Sequence, residues 1–297
     1  MPHSPDLKPF TLPAIPLRPA DGHKGTFGKI SIMGGSVGMS GAICLASVAA
    51  LRSGSGLVTA VVPASIQNIV ASFEPCLMTT GLPDDCESGL LPLSETRVTT
   101  LLQGRDAIGI GPGMGRSSTA GQLLCDVLAQ ATCPVVVDAD GLNIASEQSM
   151  FTHPRNFPCV ITPHPGEFSR LTGRSIADVE KYREEMAQEF AAAHQLIVAL
   201  KGPGTIVTDG IRLYRNNTGN SGMGTGGSGD VLTGIVTSLL GQRLPAFEAT
   251  ALAVHSHGLA GDVAAERFTE RGMIASDLLH CLPEAWRRLE HKVLLSK

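Results

Sequence analysis

Short apolar runs that each end in a glycine- or proline-rich turn recur along this chain of 297 residues. Continuous runs of this kind are typical of strands that are buried on both faces of a parallel sheet. A helical pattern often follows the turn, as expected for an α/β fold with a mostly parallel central sheet. We predict strands at KISIM (29–33), LVTAVV (57–62), DAIGI (106–110), PVVVD (134–138), CVIT (159–162) and LIVAL (196–200).

Helical patterns lie between and after these runs. The segment 41–54, GAICLASVAALRSG, has one broad apolar side and closes with glycine. Residues 175–195 predict one amphipathic helix, and Ser175 with Asp178 forms a variant of the capping box at its start. Two further helices are predicted near 246–266 and 273–290.

One segment, GTIVTDGIRLY (204–214), predicts a β-hairpin about Asp209 and Gly210. Repeated prolines predict an extended N-terminal segment over residues 1–20. No linker or repeat interrupts the remainder, so we expect a single domain over 21–297. In such sheets the strand-to-helix turns line one crevice at the carboxyl edge, where ligands bind.

Composition excludes several classes of function. A net charge of −4 without a long basic run argues against a nucleic-acid partner. No apolar stretch has the length of a membrane span, and the N-terminus does not resemble a secretion signal. The seven cysteines form no CxxC pair, which predicts reduced thiols, a cytoplasmic location and no zinc site.

The most informative turn is GMGTGGSGD (222–230), which leads directly into an apolar helical stretch. Bare glycine amides ahead of a helix N-terminus form a site for an anion such as a phosphoryl group. A carboxylate would repel that anion, so Asp230 makes sense there as a base that takes a proton from an attacking hydroxyl. A simple N-cap aspartate is the structural alternative, and the density of glycine favours the functional one.

The other turns are weaker signals by themselves. GGSVGMSGA (34–42) lacks the lysine of a P-loop and fits GxGxxG poorly, and GPGMG (111–115) is equally unspecific. Asp138 and Asp140 in DADGLN follow a strand, where they could bind Mg²⁺ or could cap a helix. The sequence leaves both possibilities open, and the metal ligands stay undetermined, with Asp138 and Glu167 as candidates.

Four basic side chains are candidates for ligand contact or for packing. Two prolines flank His164 in TPHPGE and restrict its backbone, which favours a ligand contact over a structural histidine. Lys201 in KGPGT ends a strand and could contact a nucleotide, although a solvated lysine is the alternative. His255 and His257 lie on a predicted helix, and we expect them to be packing residues.

The ordered set GGS…GA, GPGMG, DADGLN, TPHPGE, KGPGT and GTGGSGD resembles the ADP-dependent NAD(P)H-hydrate dehydratases of the ribokinase-like superfamily. The resemblance extends from Asp21 to Arg288. It implies a three-layer α/β/α sandwich without a substantial lid domain, Mg²⁺ as cofactor and a homotetramer. The implied reaction is repair: the S-epimer of hydrated NADH or NADPH is dehydrated while ADP is converted to AMP and phosphate.

The same resemblance implies the roles of particular residues. The hydrated nicotinamide nucleotide would contact Ala42, Gly113, His164 and Asp230. The adenine nucleotide would be held by Lys201, Gly202, Pro203, Gly204, Thr205 and Gly229. The anion hole would consist of the amides of Gly226, Gly227, Ser228 and Gly229, with Asp230 as the catalytic base. Some family members carry an added epimerase, which we expect here to be a separate protein.

Three other functions compete with this one. A small-molecule kinase of the same superfamily, acting on a vitamin-precursor alcohol, would use the same loop chemistry. A nicotinamide-dependent dehydrogenase would need GxGxxG after the first strand, where the chain has GGSVGMSGA. A non-catalytic nucleotide sensor would retain the pocket but would not need Asp230.

Overall fold

The computed structural model describes residues 10–15, 17–85 and 89–295, with side chains described as far as His291. Within that part of the chain, nine strands form one sheet and two very short strands pair separately. The strands are β1 Lys29–Met33, β2 Leu57–Pro63, β3 Met78–Leu82, β4 Asp84–Asp85, β5 Gly89–Leu90, β6 Ala107–Ile110, β7 Val135–Val137, β8 Cys159–Ile161, β9 Ile197–Leu200, β10 Ile206–Thr208 and β11 Leu213–Arg215.

The large sheet has the order β11-β10-β9-β8-β7-β6-β1-β2-β3. In this order, the neighbouring strands β9, β8, β7, β6, β1, β2 and β3 pair in parallel, whereas β10 is antiparallel to both β9 and β11. The sheet is therefore mostly parallel, as predicted. Its carboxyl edge collects the turns that follow β1, β6, β7, β8 and β9.

Helices connect and cover the strands. They are α1 Ser40–Arg52, α2 Ala64–Phe73, α3 Glu95–Leu102, α4 Ser118–Gln130, α5 Asp140–Glu147, α6 Pro165–Thr172, α7 Ile176–Lys181, α8 Arg183–His194, α9 Ser228–Gly241, α10 Ala246–Gly272 and α11 Ala275–Leu295. None of the helices in the described ranges is both long and apolar enough to cross a membrane.

The helices form two layers, one on each face of the sheet. Because side chains alternate along a strand, Ile30 and Ile32 of β1 pack in the core under α1, α2, α9, α10 and α11. Met33 of the same strand joins the opposite core, which is covered by α3 to α8. All three side chains are fully buried. This arrangement is the predicted three-layer α/β/α sandwich. The two-residue strands β4 and β5, which follow β3, are a small addition, and the described residues show no substantial lid.

The six strands predicted from apolar runs are present: β1 has the predicted bounds, and the other five differ by at most one residue at either end. The hairpin is present as β10 and β11, and the two C-terminal helices are present as α10 and α11. The prediction of one helix over 175–195 is wrong. Tyr182, with φ −120° and ψ 40°, separates α7 from α8. The Ser175 side chain caps α7 by accepting from Asp178 N at 3.1 Å.

Residues 1–9 and residue 16 of the predicted extended segment lie outside the described residues. Residues 10–15 and 17–19 form neither helix nor strand. Phe10 packs edge-on against Phe247 of α10, with ring centroids 4.8 Å apart.

Candidate functional site

The turns after β1 and β6 meet at the carboxyl edge of the sheet. Gly35 N donates to Pro112 O at 2.8 Å, and the Ser36 hydroxyl donates to Gly113 O at 2.9 Å. A Cβ built on Gly113 would lie 3.0 Å from Ala42 Cβ. The structure therefore brings together Ala42 and Gly113, which lie far apart in the sequence.

The glycine-rich turn before α9 has the geometry expected of an anion site. Gly227 occupies the N-cap position with φ +93°, a conformation that suits glycine, and no side chain caps this helix. The first amides of α9 therefore have no acceptor within the helix, although Ser228 N donates to Thr225 O at 3.4 Å, and the helix dipole at this end favours negative charge. Asp230 lies in the same first turn.

A buried ion pair lies directly behind this turn. Lys201 Nζ is 2.8 Å from Asp138 Oδ1 and 3.7 Å from Glu167 Oε2. The other oxygen of Asp138, Oδ2, accepts from the Thr233 hydroxyl of α9 at 2.6 Å. Asp138 is 1% exposed, and its two oxygens accept from Lys201 and Thr233, as a buried carboxylate requires.

Lys201 links the nucleotide-binding candidate KGPGT to the first turn of α9. A Cβ built on Gly229 would lie 3.2 Å from Lys201 Nζ. The Lys201 side chain is 19% exposed, so the alternative of a solvated lysine is wrong. Burial by itself would lower the pKa of Lys201, but Asp138 and Glu167 beside it raise that pKa above its usual value. The ammonium is therefore a permanent positive charge next to the candidate anion site.

Asp230 is in an environment that suits a general base. Burial raises the pKa of Asp230 to about 7, and the neighbouring Asp138 carboxylate adds to the rise. Burial also raises the pKa of Glu167 to about 7, although Lys201 acts in the opposite direction. A carboxylate whose pKa lies near neutral pH can accept a proton during a reaction and release it afterwards.

His164 is the N-cap residue of α6. Its Nδ1 accepts from Gly166 N at 3.0 Å and from Glu167 N at 3.3 Å, while Glu167 Oε2 accepts from His164 N at 2.7 Å. Burial, with Lys201 nearby, lowers the pKa of His164, which favours the neutral ring. Because Nδ1 is an acceptor, the hydrogen of the neutral ring belongs on Nε2. Nε2 itself lies 3.4 Å from Glu167 Oε1, so its hydrogen is directed at that carboxylate, and the half-exposed ring has no free basic nitrogen.

The turn after β7 has a strained backbone. Ala139, between Asp138 and Asp140, has φ +52° and ψ −121°, and it is the N-cap of α5. Asp140 Oδ2 accepts from Gly115 N at 3.0 Å and so ties the GPGMG turn to α5. Asp140 does not cap α5, whose N-cap is Ala139, and its carboxylate instead joins two neighbouring turns.

The position of His257 could not be predicted from the sequence. This residue of α10 is largely buried, as predicted, but its Nε2 lies 3.3 Å from Ser228 Oγ, at the start of α9. Burial lowers the pKa of His257 to about 4, so the ring is neutral at physiological pH. His255, the other predicted packing residue, is buried with Nδ1 3.0 Å from the Tyr214 hydroxyl. No sequence signal distinguishes the two, because both lie on the same helix next to glycine or serine.

The candidate metal ligands do not form a metal cage. Lys201 lies between Asp138 and Glu167, in the place that a cation would take. Among the residues that the structure describes, no group of three or more His, Cys, Asp or Glu side chains is arranged to hold a metal ion. A Mg²⁺ ion held by the protein alone does not fit these residues.

Solved structures of similar shape identify the class of fold. A ribokinase-like superfamily protein from Enterococcus faecalis matches with a TM-score of 0.81 and 29% identity, covering 93% of this chain and 92% of that one. A crystal structure of the ADP/ATP-dependent NAD(P)H-hydrate dehydratase from Bacillus subtilis, co-crystallized with ATP/Mg²⁺, matches with a TM-score of 0.82 and 32% identity, covering 93% and 95%. The predicted ribokinase-like α/β fold is confirmed.

The family follows from sequence comparison. The profile of the NAD(P)H-hydrate dehydratase family matches residues 30–284, and the chain belongs to that family. The ADP-dependent (S)-NAD(P)H-hydrate dehydratase of Bacillus subtilis is 34% identical over 279 residues, or 93% of this chain and 95% of that one. The bifunctional NAD(P)H-hydrate repair enzyme of Moorella thermoacetica is 42% identical over 281 residues, or 94% of this chain and 53% of that one. The chain thus spans about half the length of the bifunctional relatives it matches.

Proposed function

We propose that this protein dehydrates the S-epimer of hydrated NADH and NADPH at the expense of ADP, with AMP and phosphate as the other products. The observation that carries the proposal is the juxtaposition of uncapped first-turn amides, Asp230 and the Lys201 ammonium at the carboxyl edge of the sheet. Family membership and the names of full-length relatives favour this activity over a small-molecule kinase.

In the proposed first step, Asp230 accepts the proton of the ring hydroxyl while that oxygen attacks the terminal phosphoryl group of ADP. The bond between this phosphorus and the bridging oxygen breaks, and AMP leaves. The amides of Gly226, Gly227, Ser228 and Gly229 would stabilise the negative charge that develops on the phosphoryl oxygens. Lys201 would add a fixed positive charge close to the same position.

In the second step, phosphate leaves with the electrons of its bond to the ring carbon. The ring nitrogen donates its lone pair, the adjacent carbon loses a proton, and the conjugated dihydropyridine is restored. Phosphorylation is needed because hydroxide is a poor leaving group. His164 would contact the hydrated nucleotide beside Ala42 and Gly113, and residues 201–205 would hold the adenine nucleotide.

The carboxylates that could bind magnesium already have hydrogen-bond or ion-pair partners in the protein. Since Asp138 and Glu167 are committed to Lys201, Thr233 and His164, we propose that Mg²⁺ arrives with the nucleotide phosphates and retains water ligands. The Bacillus subtilis relative was crystallised with ATP/Mg²⁺, which supports this proposal. We also propose a cytoplasmic homotetramer that works with a separate epimerase, and light scattering of the purified chain would test the assembly.

The deciding experiment mixes the protein with acid-generated NADH hydrate, Mg²⁺ and either ADP or ATP, and follows the return of NADH absorbance. We expect recovery with ADP, and a loss of about a thousandfold or more in kcat for Asp230→Ala. Asp126→Ala, which removes a carboxylate from α4 that accepts from Gln122, is the matched control and should keep full activity.

The outcomes separate the candidate functions. No recovery with either nucleotide would overturn the dehydratase proposal. Recovery that Asp230→Ala leaves intact would show that this residue is not the base. Binding of both nucleotides without any turnover would point to a sensor.

A further inference from the structure

The loop of residues 218–227, which leads to the proposed anion site, is hydrogen-bonded to one face of α10. The Thr218 hydroxyl donates to His255 O at 2.8 Å, and a Cβ built on Gly258 would lie 2.2 Å from Thr218 Oγ1. One turn further along α10, Asp262 accepts from two consecutive residues of the loop. Its Oδ2 accepts from Gly219 N at 3.0 Å, and its Oδ1 accepts from Asn220 Nδ2 at 3.1 Å. His255, Gly258 and Asp262 share a helix face because they are spaced by three and four residues.

The contact with Asp262 extends into the loop through Asn220. With its amide nitrogen on Asp262, Asn220 presents Oδ1 to Gly222 N at 3.0 Å. The backbone carbonyl of Asn220 also accepts from Met223 N at 3.2 Å. Met223 in turn packs on α10, where a Cβ built on Gly261 would lie 2.3 Å from its sulfur. Asp262 thus constrains Gly219 and Asn220 directly and Gly222 through Asn220, while Glu270 of α10 accepts from the Ser221 hydroxyl.

The residues that follow have few constraints of their own. Gly224, Gly226 and Gly227 contribute no side chains, and glycine backbones cost more entropy to order than any other residue. The positions of the 226–229 amides therefore depend on the two adjacent segments, α9 after them and residues 219–223 before them. An array of donors stabilises a phosphoryl group only when it is held in place before the reaction.

We propose that Asp262 is a positioning residue that holds the glycine-rich loop so that its amides are preorganised for the terminal phosphoryl group of the nucleotide. This inference rests on the proposed function for the identity of the ligand. It assigns Asp262 no contact with substrate, because its two oxygens are used by Gly219 and Asn220.

The test compares Asp262→Ala and Asp262→Asn with Glu266→Ala, which removes a carboxylate one turn further along α10 that pairs with Arg288. For Asp262→Ala we expect kcat/KM for ADP to fall by roughly ten- to a hundredfold, as a small displacement of catalytic groups does. The KM for the hydrated nucleotide should stay within about threefold, because Ala42 and Gly113 lie on other elements. Asp262→Asn keeps one acceptor oxygen and should be intermediate. Glu266→Ala should match the wild type.

A double-mutant cycle isolates the interaction itself. Asn220→Ala should reduce kcat/KM for ADP, and adding it to Asp262→Ala should cost less than the product of the two single effects. Fully multiplicative effects would mean that the two side chains act independently, which would overturn the proposed linkage.

Hydrogen exchange of the free protein tests the positioning without any turnover. In Asp262→Ala the amides of 219–227 should exchange faster, while those of α9 beyond its first turn should keep their protection. Unchanged exchange and unchanged kinetics for ADP would overturn the inference and leave the proposed function standing. If the wild type shows no turnover, the proposed function fails, and the exchange measurement still decides whether Asp262 orders the loop.

Discussion

Gly111, in the turn after β6, and Gly226, in the turn before α9, are glycines for different reasons. In the first, Gly111 has φ +125°, and a Cβ built on it would lie 1.9 Å from the carbonyl oxygen of Asp138. In the second, a Cβ built on Gly226 would meet nothing within 4 Å, and Gly226 has no positive φ. The protein itself thus requires glycine at Gly111 but not at Gly226.

This difference separates a glycine that packing requires from a glycine that packing does not require, which we propose serves a ligand. At Gly111 the backbone of a neighbouring turn fills the space that a side chain would take. At Gly226 the space lies open at the mouth of the proposed anion site, where a phosphoryl group would approach the bare amides. The sequence does not distinguish these two cases, since both positions are simply glycine.

The largest expected effect is on folding, at Gly111. Gly111→Ala would place a methyl group against Asp138 O and force alanine into a backbone region that only glycine adopts readily. We expect a loss of about 3 kcal/mol or more in the free energy of unfolding. Urea denaturation followed by circular dichroism measures it. A variant as stable as the wild type would contradict the claim that packing requires glycine at position 111.

Next in size is an effect on activity, at Gly226. Gly226→Ala should leave the free energy of unfolding within about 0.5 kcal/mol of the wild type. The added methyl group should reduce kcat/KM for ADP by roughly ten- to a hundredfold, because it obstructs the approach to the amides. Gly272→Ala is the matched control, since that glycine is also exposed, has no positive φ and meets only Thr269 Oγ1, at 3.5 Å. Unchanged kinetics in Gly226→Ala would contradict a ligand at this position.

The last prediction concerns how the free energy of unfolding depends on pH. The folded state holds the Asp230 proton up to a pKa of about 7, whereas an unfolded aspartate loses it near its ordinary value. The folded state therefore binds more protons between about pH 4 and 7, and the Asp230 contribution to stability falls as pH rises through that window. Asp230→Asn should be more stable than the wild type at pH 8, and equally stable near pH 4.

Paired denaturation curves of both proteins at the two pH values give this difference, in which the contributions of other groups cancel. A gain of the same size at both values would mean that Asp230 is not held protonated by burial. The activity of the wild type should rise as pH increases through about 7, because the base must be ionised to accept the proton.

Much of the fold could be predicted because its signals are local. KISIM and LIVAL are continuous apolar runs, and their burial on both faces follows from that pattern. Strand β3 escaped prediction because MTTGL is half polar, as suits the edge of a sheet. The break at Tyr182 escaped it because the amphipathic pattern continues across the residue, and contacts outside the segment decide where the backbone turns.

The candidate site was predictable in its turns but not in its contacts. GTGGSGD shows from sequence alone that bare amides, a carboxylate and a helix start together. The contact of His257 with Ser228 and the two hydrogen bonds of Asp262 join elements that lie tens of residues apart. Neither residue differs locally from an ordinary helical side chain.

The sequence by itself determined the buried strands, the glycine turns at their carboxyl ends and the presence of Asp230 at a helix start. Only the tertiary structure decided that Lys201 lies between Asp138 and Glu167, that Asp138 also accepts from Thr233, and which glycines have open space where a side chain would lie. The physical reason is that strands neighbour one another in the order of the sheet, not of the chain. Hydrogen bonds, burial and raised pKa values arise between side chains that only this order brings within a few ångströms of each other.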